Sequence, residues 1–216
     1  MSEYVVKSCD GIVSDCHVYD LDESVRASKY PMAVDHNKTN SEITDRTKSL
    51  GRTGMGEGHD NFLSGIVVNF DLTITNKMWV EAERYHFFQI VSSQSTMHRI
   101  SKIGENRNNF DSHVDPRTLS ILNEKIAEYN RLVSLATPDD LNVTQKRDEL
   151  LKEAYLDILM NVPAGLKLTA RISTNYRQLK TIYYQRKNHR LPEWRKFCNW
   201  METELPHFKE LCLNAQ

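Results

Sequence analysis

Residues 66–74 read Ile-Val-Val-Asn-Phe-Asp-Leu-Thr-Ile, an alternating run of high β-propensity that commits the chain to a sheet. Tyr4-Val-Val-Lys and Ile12 to Tyr19 read as shorter strands before it, and Asp22 to Tyr30 as a short helix ended by Pro31. Beyond the strand, helical spacing takes over. Lys77 to Ile90 reads as one helix, with Trp79, Ala82, Tyr85 or His86, and Gln89 on one side and a second apolar stripe of Val80, Phe87 and Val91. Apolar on most sides, it is expected to be buried. Arg117 to Ala136 is amphipathic, with Leu119, Leu122, Ile126, Tyr129 and Val133 aligned, and Thr137-Pro138-Asp139-Asp140 breaks it. Thr144 to Asn161 is expected to turn Leu150, Ala154 and Ile158 inward before Val162-Pro163-Ala164-Gly165 stops it. Thr174 to Arg186 and Pro192 to Leu205 complete the helices, with Pro192 suited to a first turn. Connections are short and no repeat is visible, so residues 1–216 are expected to form a single domain.

With 28 basic and 29 acidic residues, the chain carries no basic excess of the kind a dedicated nucleic-acid binder needs. The Lys- and Arg-rich run from Lys180 to Lys196 is either a local basic patch or a solvated helix face. No 18-residue apolar stretch and no signal-like start are present, so a cytoplasmic location is expected. Cys9, Cys16, Cys198 and Cys212 form no Cys-x-x-Cys pair and read as free packing thiols. Neither they nor His17, His36 and His113 have ligand spacing, so no metal site is expected. No nucleophile–base arrangement is legible.

Three features point to ligand chemistry. Gly51-Arg-Thr-Gly-Met-Gly-Glu-Gly58 precedes a strand, whereas a dinucleotide-binding loop follows one. It is therefore a tight turn allowing close backbone approach, or a flexible loop, and His59-Asp60 just after it is a candidate cofactor contact. The polar block Ser92-Ser-Gln-Ser-Thr-Met-His-Arg99 offers hydroxyls and charge to a phosphate, at the end of the expected buried helix. Asn175-Tyr-Arg-Gln-Leu179 and Arg186 load a helix with nucleotide-competent side chains that have no evident structural task. Two polar blocks far apart in sequence suggest one anion-binding cleft.

The order and spacing of these residues resemble the flavin-dependent thymidylate synthases, the ThyX family, in a divergent, phage-type form. That family has Leu-Pro, then Asn-x-Arg-x-Leu, then Arg; this chain has Val162-Pro163, Asn175-Tyr176-Arg177-Gln178-Leu179 and Arg186. Further upstream the family has Arg-His-Arg, seven residues, then Ser-x-Arg-Tyr; here His86-Phe87-Phe88 is followed by Thr96-Met97-His98-Arg99. Trp79-Val80 stands at the start of that helix, and Ser93-Gln94 replaces Asn-Glu. Leu159 stands where the family has an arginine four residues before the proline. Losing these arginines removes bidentate anion contacts, and two phenylalanines offer a stacking surface instead.

The resemblance implies an α/β (α+β) protein of ThyX-like fold, an antiparallel or mixed sheet flanked by a helical bundle. It implies binding of FAD, with His59, His86, Asn175 and Arg177 as cofactor contacts. It implies a pyrimidine nucleotide as substrate, contacted by Ser93, Gln94, Thr96, His98, Arg99 and Arg186. The implied reaction is reductive methylation of dUMP to dTMP with methylene-tetrahydrofolate, or a related pyrimidine modification, in a homo-oligomer (a tetramer) in the cytoplasm, that of the host if phage-encoded. The alternative is a non-catalytic nucleotide-binding or interaction protein on the same scaffold, its Arg-His-Arg lost.

Overall fold

A computed structural model describes residues 1–54, 56–99, 101–104, 106–135 and 141–214. It falls into two compact units, residues 1–74, 78–93 and 169–216 in the first and residues 75–77 and 94–168 in the second.

The first unit holds all but the end residues Thr75, Lys167 and Leu168 of a five-stranded sheet of β1 (Glu3–Val6), β2 (Val13–Tyr19), β3 (Val67–Thr75), β4 (Gln89–Ser93) and β5 (Lys167–Asn175), in the order β1-β2-β3-β5-β4. The pairs β1–β2, β2–β3 and β4–β5 run antiparallel. β3 alternates as its sequence does, with Val68, Phe70, Leu72 and Ile74 fully buried. Around the sheet stand α1 (Leu21–Ala27), α2 (Asp45–Arg52), most of α3 (Asn76–Ala82), α7 (Tyr176–Arg186), α8 (Pro192–Glu204) and α9 (Phe208–Cys212). Phe70, Phe88, Phe197 and Trp200 interlock at the centre, with ring centroids 5.6–6.4 Å apart. The chain start is tied down where the Ser2 backbone N–H and hydroxyl donate to Glu23 and the terminal ammonium lies 3.0 Å from it. The Ser2 hydroxyl first, and the ammonium with it, pull the Glu23 carboxyl down to about 2.

The second unit holds the short α4 (Thr96–Arg99) and the hairpin of α5 (Pro116–Ser134) and α6 (Leu141–Asn161). Asp115 caps α5 by accepting from the Arg117 N–H at 2.8 Å, with Pro116 in the first turn. Its core is Ile103, Phe110, Leu122, Ile126, Ile158 and Leu166, with Leu119, Tyr129 and Tyr155 against it.

The helix expected over 77–90 stops at Ala82, and residues 89–93 are a strand. Tyr85 to Val91 is aromatic and β-branched, and pairing with β5 outweighs the helical spacing of a few apolar side chains. The expected second stripe is not buried: Val80 on α3, and Phe87 and Val91 beyond it, are all exposed. For the same reason Ser92 and Ser93 end an edge strand rather than a buried helix. β5 was not anticipated, and Thr174, expected to open a helix, lies inside it; the helix starts at Tyr176. α1 ends at Ala27, and Pro31 sits in a separate 3₁₀ turn over Tyr30–Met32. Leu150 and Val133 face solvent, whereas Ile158 is buried as expected. The Thr137–Asp140 break lies outside the described residues.

The cysteines are free: Cys16, Cys198 and Cys212 are buried and Cys9 half-buried. Burial pushes the thiols of Cys16 and Cys198 up to about 12 and that of Cys212 up as well.

Candidate functional site

The site begins where β5 hands over to α7. Asn175 keeps extended backbone angles, and its Oδ1 accepts the Gln178 N–H at 2.9 Å, starting the helix. One turn of α7 then carries Arg177, Gln178, Lys180 and Thr181. Arg177 Nε donates to Asp60 Oδ1 at 3.1 Å, and its Nη1 donates to Asn61 Oδ1 at 3.0 Å. Asp60 opens the 3₁₀ turn Asn61–Gly65 and is only 2 % exposed. Its other oxygen accepts from Lys180 Nζ at 2.8 Å. That ammonium, also 2 % exposed, donates to the carbonyls of Gly51 at 2.8 Å and Thr53 at 2.6 Å. Lys180 thus caps the C-terminus of α2, where cations are favoured.

The turn between α3 and β4 closes the site from the other side. The Phe87 N–H donates to Gln178 Oε1 at 3.3 Å, and the Thr174 hydroxyl donates to the Phe87 carbonyl at 2.7 Å. These bonds hold His86 and Phe87 with ring centroids 4.7 Å apart and edge-to-face. Between these elements lies a cavity of about 470 Å³. Gly56, Asp60, Asn61 and Ser64 line one side, Asn175, Arg177, Gln178 and Thr181 another, and His86 and Phe87 the third.

The hydrogen bonds fix how the three carboxamides present themselves. The oxygens of Asn61, Asn175 and Gln178 each accept from a group that can only donate: a guanidinium N–H, a backbone N–H and a backbone N–H. Each amide therefore has its NH₂ left over. With Arg177 Nη2, the wall is rich in donors beside an exposed aromatic ring. Such a wall suits a planar, acceptor-rich, anionic ligand.

The cavity brings together His86, Asn175 and Arg177 of the four residues assigned to a cofactor. His59 is exposed and does not line it, whereas its neighbour Asp60 does. The phenylalanine pair divides: Phe87, 58 % exposed, faces the cavity, and Phe88, 4 % exposed, packs on Phe70 and Phe197.

Arg186 lies elsewhere on the first unit. Its Nη1 donates to Glu81 Oε2 at 2.9 Å, its Nε to the Tyr85 hydroxyl at 2.8 Å, and it stacks on Trp194 at 5.0 Å. Glu81 also accepts from Trp194 Nε1 at 3.0 Å. Ser93 ends β4 opposite Ala170. Gln94, Thr96, His98 and Arg99 belong to the second unit, where Arg99 donates to Gln94 Oε1 at 2.7 Å and the Ser95 hydroxyl accepts the His98 N–H at 3.3 Å. Asn175, Arg177 and Arg186 each have a structural partner, contrary to the impression their sequence density gives.

Sequence reasoning missed Asn61, Gln178 and above all Lys180, which it placed in a surface basic run. Helical spacing carried the signal, since residues three apart share a face and 180 follows 177 by three. Nothing local marks Asp60 as buried. The glycines before it have separate tasks: Gly51 lies in α2, where a Cβ would strike the Leu211 carbonyl, while Gly56 and Gly58 take φ of +99° and +79° in the turn that follows.

Comparison with protein-family models finds no match, and comparison with curated protein sequences finds none. Comparison with solved structures finds the flavin-dependent thymidylate synthase ThyX from Helicobacter pylori, complexed with FAD and dUMP, at 16 % identity and TM-score 0.58, covering 98 % of this chain and 100 % of that one. A second structure of the Helicobacter pylori enzyme, also with FAD and dUMP, matches at 17 % identity and TM-score 0.58, covering 94 % of this chain and 97 % of that one. The UMP/dUMP methylase PolB from Streptomyces cacaoi, bound with 5-Br dUMP, matches at 15 % identity and TM-score 0.57, covering 93 % and 89 %. At these identities the likeness is one of architecture, and the chain has the fold of the flavin-dependent thymidylate synthases.

Proposed function

We propose that this chain is a flavin-dependent enzyme acting on a pyrimidine nucleotide, with its flavin held in the cavity between Arg177 and Phe87. The proposed reaction is the reductive methylation of dUMP to dTMP with methylene-tetrahydrofolate, or a closely related modification of the base, in a homotetramer. The observation that carries this reading is the convergence of Asn175, Arg177 and His86 on one donor-rich cavity. These are residues that the resemblance to the flavin-dependent thymidylate synthases implies as cofactor contacts. Solved structures of the same fold hold FAD and dUMP.

The residues present fit a flavin. A fused, dione-bearing ring system offers carbonyl and imine acceptors, which the NH₂ groups of Asn61, Asn175 and Gln178 would meet. Phe87 supplies an apolar face for stacking, and Arg177 Nη2 supplies charge-assisted donation to an anionic group. When bound, the flavin supplies the redox chemistry that the protein's own side chains lack. The protein's part is positioning: the Asn175 cap fixes the start of α7, Asp60 and Asn61 fix the guanidinium, and the Gln178 and Thr174 bonds fix the aromatic turn.

A second reading, a non-catalytic nucleotide-binding protein on this scaffold, is favoured by one observation. Arg186 is engaged by Glu81, Tyr85 and Trp194 rather than lining the cavity. The visible spectrum of the purified protein, recorded after incubation with FAD and desalting, separates the two. A retained flavin band that Arg177→Ala abolishes is expected. No retained flavin in the unaltered protein would leave the non-catalytic reading standing.

A further inference from the structure

Lys180 cannot touch a ligand. Its three N–H donors are all taken, by the carbonyls of Gly51 and Thr53 and by Asp60 Oδ2, at 2.6–2.8 Å. Capping α2 accounts for two of those bonds, but not for a carboxylate buried beside it. Asp60 is shared: one oxygen takes Lys180, and the other takes Arg177, which lines the cavity.

This sharing decides the charge of the cavity wall. A buried carboxylate paired with Arg177 alone would cancel the guanidinium and leave a neutral pair with little pull on an anion. With Lys180 behind it, two cations face one carboxylate, and the cluster carries one net positive charge. The solvent-remote placement of Asp60 and Lys180 keeps that balance poorly screened, unlike an exposed pair.

We infer that Lys180 is a positioning residue that sets the electrostatic character of the Arg177 cavity, acting through Asp60 to leave Arg177 a net cation toward an anionic ligand. This rests on the reading of that cavity as a cofactor or nucleotide site, and it concerns a residue outside the wall itself.

The test compares the unaltered protein with Lys180→Met, Asp60→Asn and the double variant carrying both. Three probes are titrated into the full chain: inorganic pyrophosphate followed by ³¹P NMR, FAD followed by flavin fluorescence, and dUMP. Lys180→Met is expected to weaken pyrophosphate binding by about tenfold or more, the scale of one nearby charge at an effective dielectric near 20. The double variant restores one net positive charge and is expected to recover affinity to within about threefold, and Asp60→Asn to bind at least as tightly as the unaltered protein. Raising the salt concentration should shrink these differences.

Recovery by the double variant is what a purely structural role does not give, because that variant lacks both partners of the ion pair. If every variant loses affinity in step with its stability, the inference is overturned while the flavin reading stands on the unaltered protein. If pyrophosphate follows the expected order but neither FAD nor dUMP binds, the inference stands and the proposed function falls. If none of the three probes binds the unaltered protein, both fall. Should Lys180→Met fail to fold, Asp60→Asn and the double variant against the unaltered protein still decide the matter.

Discussion

Asn175 does two jobs with two ends of one amide, and substitutions can separate them. Its oxygen caps α7, and its NH₂ is left for the cavity. Asn175→Ala should cost about 1 kcal/mol of stability in urea unfolding. Asn175→Ser restores a capping oxygen, so stability should return to near the original while FAD affinity stays reduced. Equal recovery of both would show that the amide nitrogen has no part in binding. The buried pair behaves differently. Lys180→Met leaves Asp60 with one cation and strips the α2 carbonyls of their donor, and a loss of about 3–5 kcal/mol is expected from denaturant titration.

At the scale of elements, the turn between α3 and β4 sorts two identical side chains into opposite tasks. Phe88→Ala removes a ring packed against Phe70 and Phe197 and should cost about 3–5 kcal/mol. Phe87→Ala, at an exposed position, should change stability by no more than about 0.5 kcal/mol but lower flavin retention. Thermal melts with and without FAD read both. This turn is also where sequence reading went astray. The spacing of Trp79, Ala82 and Gln89 is honestly helical, and only the β5 partner, far along the chain, converts residues 89–93 into a strand. β5 itself, Lys-Leu-Thr-Ala-Arg-Ile-Ser-Thr-Asn, alternates, but it abuts a helix so closely that its last residues read as helical. By contrast β3 and α5 were legible because each is long and strongly patterned, and α6 by its length and its Val162-Pro163 stop, though not by the face it turns inward. The cavity was legible only in part: Asn175, Arg177 and His86 sit in motifs and Asp60 follows the glycines as a candidate, whereas the burial of Asp60 and the part of Lys180 show only through a contact spanning 120 positions.

For the molecule as a whole, pH acts at two ends. Glu23 titrates lower in the folded chain than its ordinary 4.5, at about 2. Its contribution is therefore complete above about 4.5 and is lost as pH falls toward about 2. The difference in stability between the unaltered protein and Glu23→Gln should shrink across that window in acid titrations. At the alkaline end Cys16 and Cys198 ionise only near 12 when folded but near 9 when unfolded, so stability should decline as pH rises above about 9. A thiol reagent at neutral pH should label Cys9 in the native protein and the buried three only after unfolding. Lys180, finally, does for residues 53–60 what a cross-link does for a chain: it joins Thr53 to Asp60 across the glycine turn through a single ammonium. Inserting residues between Gly56 and Gly58 lengthens the span that this ammonium closes, and closure entropy grows only with the logarithm of that length, so each doubling should cost only about 0.6 kcal/mol.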